Sequence, residues 1–162
     1  MNPCPCGFYQ TKGGIECSCT QQQVNRYIGK ISGPLLDRMD IVVETAKVEY
    51  GDLVSQGKAE SSKSIRRRVE EARLLQVERY KEFKVHSNSQ LNNNLVKRFC
   101  ILDNSARMLM EVAYEKLKLS ARGYHRIIKV ARTIADLDTS EVIGESHLAE
   151  ALQYRNIGSI IK

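Results

Sequence analysis

The chain has 162 residues, 25 Lys and Arg against 19 Asp and Glu, and a formal net charge of +6. Its 42% hydrophobic and 27% charged content fits a globular protein and excludes a disordered tail. No apolar run approaches the roughly 20 residues of a membrane-spanning helix, and the Met1-Asn2-Pro3-Cys4 start carries no secretory pattern, so a cytoplasmic location without membrane contact is the expectation.

Residues 1–20 hold Pro3, Pro5, Gly7 and four of the five cysteines, and read as loop. Gln21 to Ile31 follows with Val24, Tyr27, Ile28 and Ile31 at helical spacing, and Ser32-Gly33-Pro34 stops it. Leu35 to Met39 reads as one more turn, with Pro34 tolerated at its start. Asp40 to Thr45 holds three β-branched residues in a row and predicts a strand buried on both faces. Lys47 to Ala59, with Gly51 and Gly57, reads as a linker. A long helix is predicted from Ser61 or Ser62 to about Phe83, with Ile65, Val69, Ala72, Gln76 and Tyr80 on one side and Arg66, Arg67, Arg68 and Arg73 on another.

Beyond a polar break at residues 87–93, the pattern is helical to the end. A short helix spans Leu95 to Leu102, and Asn104 caps the next, which buries Met108, Leu109, Val112 and Leu117. Ser120 caps another helix, whose inner face is Tyr124, Ile127, Ile128, Ala131, Ile134 and Ala135. The last, from Glu145 to Tyr154, buries Leu148, Ala151 and Leu152. The reading is a mainly α protein: an α/β remnant over 1–45 with a Cys-rich loop and one strand, a linker over 46–59, and a helical-bundle lid domain over 60–162. A lone strand leaves its backbone unpaired, so these residues are expected to be part of a longer module.

Cys4-x-Cys6 and Cys17-x-Cys19 place four thiols within sixteen residues, enough for a tetrahedral structural zinc site. Reduced thiols or a redox pair are the alternatives. Cys100, among Phe99, Ile101 and Leu102, reads as a small buried hydrophobe. His86, His125 and His147 lie apart, without triad or metal spacing. No G-x-x-x-x-G-K-[ST] run occurs in these residues, so the chain alone is not expected to hydrolyse ATP.

Several ordered blocks carry a resemblance. They include Asn2-Pro3-Cys4-Pro5-Cys6-Gly7, Ile31-Ser32-Gly33-Pro34-Leu35-Leu36-Asp37-Arg38-Met39-Asp40, Leu119-Ser120-Ala121-Arg122, Tyr124-His125-Arg126-Ile127 and Ala131-Arg132-Thr133-Ile134-Ala135-Asp136-Leu137. In these the chain resembles magnesium-chelatase-like AAA+ ATPases of the YifB/ComM type, over nearly its whole length. The resemblance implies that Arg38 is an arginine finger acting on the nucleotide of the next subunit. It matches Arg122 to the sensor-2 arginine and Asn2 to the sensor-1 asparagine. By their spacing Arg126, Lys129 and Arg132 continue a basic face from Arg122, with a solvated face of the lid as the alternative, preferred for Lys129. ATP and Mg2+ are implied as cofactors of the full-length protein. The implied partners are an upstream P-loop segment of the same module, neighbouring subunits of a homo-oligomeric ring, and DNA, through branch migration in natural transformation. The competing expectation is a zinc-stapled helical adaptor that binds nucleic acid or a protein without ATPase activity.

Overall fold

The structure, a computed structural model, describes residues 1–10, 15–45, 48, 50–54 and 59–155. They fall into two compact units, Met1–Gln56 and Gly57–Arg155.

In the first unit, α1 (Gln21–Ile28) opens on a reciprocal cap: Thr20 accepts from the Gln23 backbone, and the Gln23 side chain accepts from the Thr20 N–H. It ends at Ile28, three residues short of the Ile31 expected from the apolar spacing, with Gly29 as its C-cap. Val24 is its buried anchor. Helix α2 (Gly33–Leu36) is a single turn that begins earlier than expected, with Pro34 in its opening positions and Leu36 buried.

The predicted strand at Asp40–Thr45 is not formed. Residues 41–45 are irregular, and Ile41 and Val43 are 53% and 62% exposed. Local β propensity is outweighed because these residues have no neighbouring strand among the described residues, and an extended segment is held only by its ladder. The expected linker is interrupted by a short helix, α3 (Tyr50–Val54), whose Tyr50 and Leu53 are exposed. The linker's positions 46, 47, 49 and 55–58 lie outside the described residues.

The second unit is a helical bundle. Helix α4 (Ser62–Arg79) is capped by Ser61 and stops at Tyr80, short of Phe83. Its expected stripe divides: Ala72, Gln76 and Tyr80 are buried, whereas Ile65 and Val69 are 44% and 46% exposed. The polar break holds a 3-10 turn at Asn88–Gln90. Helix α5 (Asn93–Phe99), capped by Asn92, closes on Cys100, which is buried in the core as expected. Burial pushes the Cys100 thiol up to about 11, so it stays protonated near neutral pH.

Helix α6 (Asn104–Lys116) is capped by Asp103, one residue before the expected Asn104. Its buried face is Ala106, Met110 and Ala113, while Met108, Val112 and Leu117 are exposed. Small alanines turned inward let the helix approach its neighbours closely, so the phase is set by fit and not by side-chain size. Helix α7 (Ala121–Leu137) is the central element, capped by Ser120 and packed against both α4 and α8 (Glu145–Gln153). Ile127, Ile128, Ala131 and Ala135 face the core as expected. Gly123 lies where an added Cβ would sit 3.0 Å from Arg155 Nη2, which explains a glycine in a first helical turn. A parallel bridge, Leu102 with Ile143, joins the entries to α6 and α8.

The core also contains polar chemistry. Asp136, 1% exposed, accepts two bonds from Arg79 (2.5 and 3.1 Å), one from Arg132 Nε (3.1 Å) and one from Asn88 Nδ2 (2.8 Å). Asn88 accepts in turn from the Tyr80 hydroxyl at 2.6 Å, and its N–H donates to Gln76. Arg132 is fully buried and donates to the carbonyls of Ser140 and Glu141, beyond the C-terminus of α7. Burial lowers the Arg132 pKa. Burial also works against the Arg79 charge, but the Asp136 carboxylate holds its pKa above the ordinary value. Removing Asp136 would strand two guanidinium groups. Asp136→Ala should therefore cost about 3–5 kcal/mol in urea unfolding followed by circular dichroism; a loss below about 1 kcal/mol would contradict the role given to this carboxylate.

Candidate functional site: a four-thiol cluster and exposed arginines

The first unit brings together what its sequence suggested. Cys4, Cys6, Cys17 and Cys19 place their sulfurs within 4.8 Å of one another, with Cys4 fully buried. Cys4 Sγ lies 3.2 Å from Cys6 Sγ and 3.7 Å from Cys17 Sγ, and Cys6 to Cys17 is 3.5 Å. These separations are too long for disulfides, and all four residues are free thiols. A tetrahedral metal with Zn–S bonds of about 2.3 Å would require sulfur–sulfur edges of about 3.8 Å. Two of these three separations lie within about 0.3 Å of that edge, and the Cys4–Cys6 pair is about 0.6 Å shorter. The donor set therefore fits a zinc ion held by four thiolates.

The backbone explains how a one-residue spacing achieves this. Gly7 takes φ +88°, and its N–H bonds the Cys4 carbonyl at 3.1 Å, so Cys4-Pro5-Cys6-Gly7 folds into a tight turn. Only glycine adopts that conformation without strain. Backbone N–H groups then point at the sulfurs: that of Phe8 at Cys6, that of Cys19 at Cys17, and that of Cys6 at Cys19. Such donors stabilise thiolates and orient them.

The Phe8 N–H, together with the Cys4 side chain, brings the Cys6 thiol down to about 6. For Cys17 the Cys19 N–H also acts downward, but desolvation and the neighbouring sulfurs outweigh it and push the thiol up to about 12. Cys19 is raised by the same balance. Without a cation the cluster thus favours a thiolate at Cys6 and protonated thiols at Cys17 and Cys19; a divalent ion would remove that conflict.

The arginines and Asn2 are placed as follows. Arg38 is exposed just past α2, donating from Nη1 to the Pro34 carbonyl at 3.1 Å. Asn2 is exposed in the same unit, its side chain lying over Gly7. Arg122 is exposed in the first turn of α7, which contains no acidic residue. A cation at the positive end of a helix dipole is unfavourable unless an anion meets it. The basic face expected to continue from Arg122 breaks down: Lys129 donates to the Ser89 carbonyl, and Arg132 belongs to the core. On α4, Arg68 pairs with Glu60 at 3.0 Å and Arg67 with Glu71 at 3.9 Å.

His147 is a packing residue: Nδ1 accepts from the Gly144 N–H, leaving Nε2 to donate to Asp138. The Asp136 hub was missed at the sequence level. Arg132 and Asp136, four apart on one helix, were its only local signal, because Arg79 lies 57 residues away.

Known proteins share this arrangement of sequence. The family model described as "Magnesium chelatase, subunit ChlI" matches residues 1–53, and "Magnesium chelatase, subunit ChlI C-terminal" matches residues 59–155. The chain belongs to the magnesium-chelatase-like family. It is 41% identical to Competence protein ComM of Haemophilus influenzae over 96% of its own length, and 39% identical to YifB of Escherichia coli over 99%. YifB of Salmonella typhimurium is 36% identical over 99% of the chain. In each comparison the chain spans 29–31% of the relative's length. Among the described residues of this family member, no helix is long and apolar enough to cross a membrane.

Two outcomes follow from the thiol cluster. Native mass spectrometry should find one zinc per chain, lost in Cys4→Ser; a reduced, folded chain that takes up no zinc would exclude the site. In the zinc-free chain, alkylation of Cys6 should rise through pH 6 and level off near neutrality, since its thiol lies at about 6, while Cys17, at about 12, should stay unreactive over that range. Equal labelling of the two at pH 7 would contradict this ordering.

Proposed function

We propose that this chain supplies the arginine finger, sensor 2 and helical lid of a magnesium-chelatase-like AAA+ ATPase that assembles as a ring and acts on DNA. The observation that carries the reading is Arg38. It sits in the Leu35-Leu36-Asp37-Arg38 block, within the residues matched by the family model, and stands exposed beside a one-turn helix.

Phosphoryl transfer needs positive charge where it develops on the γ-phosphate, and a guanidinium provides directed donors for it. Arg38 is suited to do this for the nucleotide of a neighbouring subunit. Arg122 would meet the nucleotide of its own subunit, and an anion there would relieve the charge conflict at the start of α7. Asn2 would orient the attacking water. ATP with Mg2+ is the cofactor in this reading, its phosphates cradled by a P-loop segment of the same module. Zinc held by Cys4, Cys6, Cys17 and Cys19 would act as a structural staple, because four protein thiolates leave no position open to water.

DNA as the partner is supported by the net charge of +6 and by the likeness to a competence protein. The thiol cluster also favours a second reading, a zinc-stapled adaptor that binds nucleic acid without ATP. A gel-shift titration across salt separates the two: an adaptor binds DNA through the isolated chain with a steep salt slope, whereas the ATPase reading requires the assembled ring.

In a ring assembled from chains that also carry the P-loop segment, Arg38→Ala should lower turnover by on the order of 10³-fold with little change in nucleotide binding. Arg122→Ala should weaken nucleotide binding as well, yet leave the isolated chain as stable or slightly more so. Undiminished turnover in the Arg38→Ala ring would eliminate the finger role.

A further inference from the structure

The second unit carries a ridge and a groove of matching chemistry. The ridge is the first half of α4. Ile65 and Val69 lie one turn apart on the stripe that Ala72 and Gln76 continue into the core, yet both are exposed. The stripe therefore outruns the bundle that buries it. Arg66 and Arg73 flank the two apolar side chains, and neither has an ion-pair partner among the described residues.

The groove lies between α6 and the start of α7, with a volume of about 460 Å3. Its floor is Leu102, Met110, Tyr114 and Tyr124, the two tyrosine rings meeting edge to face at 6.3 Å. Its rim carries Glu111 and Glu115, four residues apart on α6, together with Arg107.

We propose that the N-terminal half of α4 from one copy of this chain seats in the α6–α7 groove of a second copy, joining the helical units head to tail. Ile65 and Val69 enter the apolar floor, in the manner of an amphipathic helix anchored at i and i+4. Arg66 and Arg73 meet Glu111 and Glu115, the long arginine stems spanning the difference between a rise of about 10.5 Å and one of about 6 Å. Charge complementarity singles out a second copy as the occupant, since the chain itself carries both the basic-flanked ridge and the acidic-rimmed groove. Because ridge and groove are different surfaces, the contact is heterologous, and repetition either closes into a ring or runs on as a filament. This deepens the ring assembly proposed above by naming a surface, and rests on that reading for its biological use.

The test is sedimentation velocity of the chain without nucleotide, over a concentration series. Self-association is expected, weakened on the order of tenfold or more in Arg66→Glu/Arg73→Glu and equally in Glu111→Arg/Glu115→Arg, because each places like charges face to face. Mixing the two variants restores association, since every ridge then meets a groove of opposite sign. The chain carrying all four swaps also associates by itself, which shows that these exposed substitutions leave the fold intact. A photo-crosslinker at position 69, read in a mixture of isotopically light and heavy chains, should capture residues 110–124 of a different copy.

A chain that remains monomeric throughout, swaps that change nothing, or a mixture that does not recover would each overturn the proposal. Crosslinks to residues 1–54 would do so too, by identifying the first unit as what covers the ridge. Since no ATP turnover is read, a failed Arg38 experiment and a failed swap experiment are distinct results.

Discussion

The helical unit is organised around one carboxylate. Asp136 has almost no contact with solvent and holds two guanidinium groups and an amide, from three parts of the chain. A buried charge of this kind is tolerable only when fully bonded, and here each partner is itself fixed by others. Arg132 ties the loop after α7 to the helix by donating to two carbonyls, and Asn88 ties the 3-10 turn to α4 through Tyr80 and Gln76. The apolar core supplies cohesion without direction; the hub decides which faces of α4 and α7 meet.

The first unit is held differently. Its buried described side chains are few, Cys4, Val24 and Leu36, so a conventional core contributes little. A four-thiol turn is an effective substitute in so small a segment, because a bound metal would replace many weak contacts with four strong ones. The two units thus differ: one rests on a satisfied internal ion network, and the other gathers four soft donors that suit a metal ion.

How much of this was legible in the sequence follows from how local each signal is. The caps at Ser61 and Ser120 and the inner face of α7 are written in neighbouring residues. So is the thiol cluster, whose four donors span sixteen positions. The strand expected at Asp40–Thr45 failed because β propensity is a request for a neighbour, and the neighbour is not supplied by local sequence. The inner face of α6 was misassigned because methionine and valine were weighted over alanine, whereas close helix approach rewarded the smaller residues. The Asp136 hub depends on a pairing with Arg79, which no local pattern announces. For the candidate site, the positions of Arg38 and Arg122 followed from resemblance, while their exposure and local bonding required the fold.

The placement of the hub has a mechanical consequence. Helix α7 is 17 residues long, about 25 Å from end to end. Arg122 stands at one tip and Asp136 at the other, where bidentate bonds lash it to α4. The last turns of α7 and α4 are therefore joined as one body, and the two helices can shift there only together.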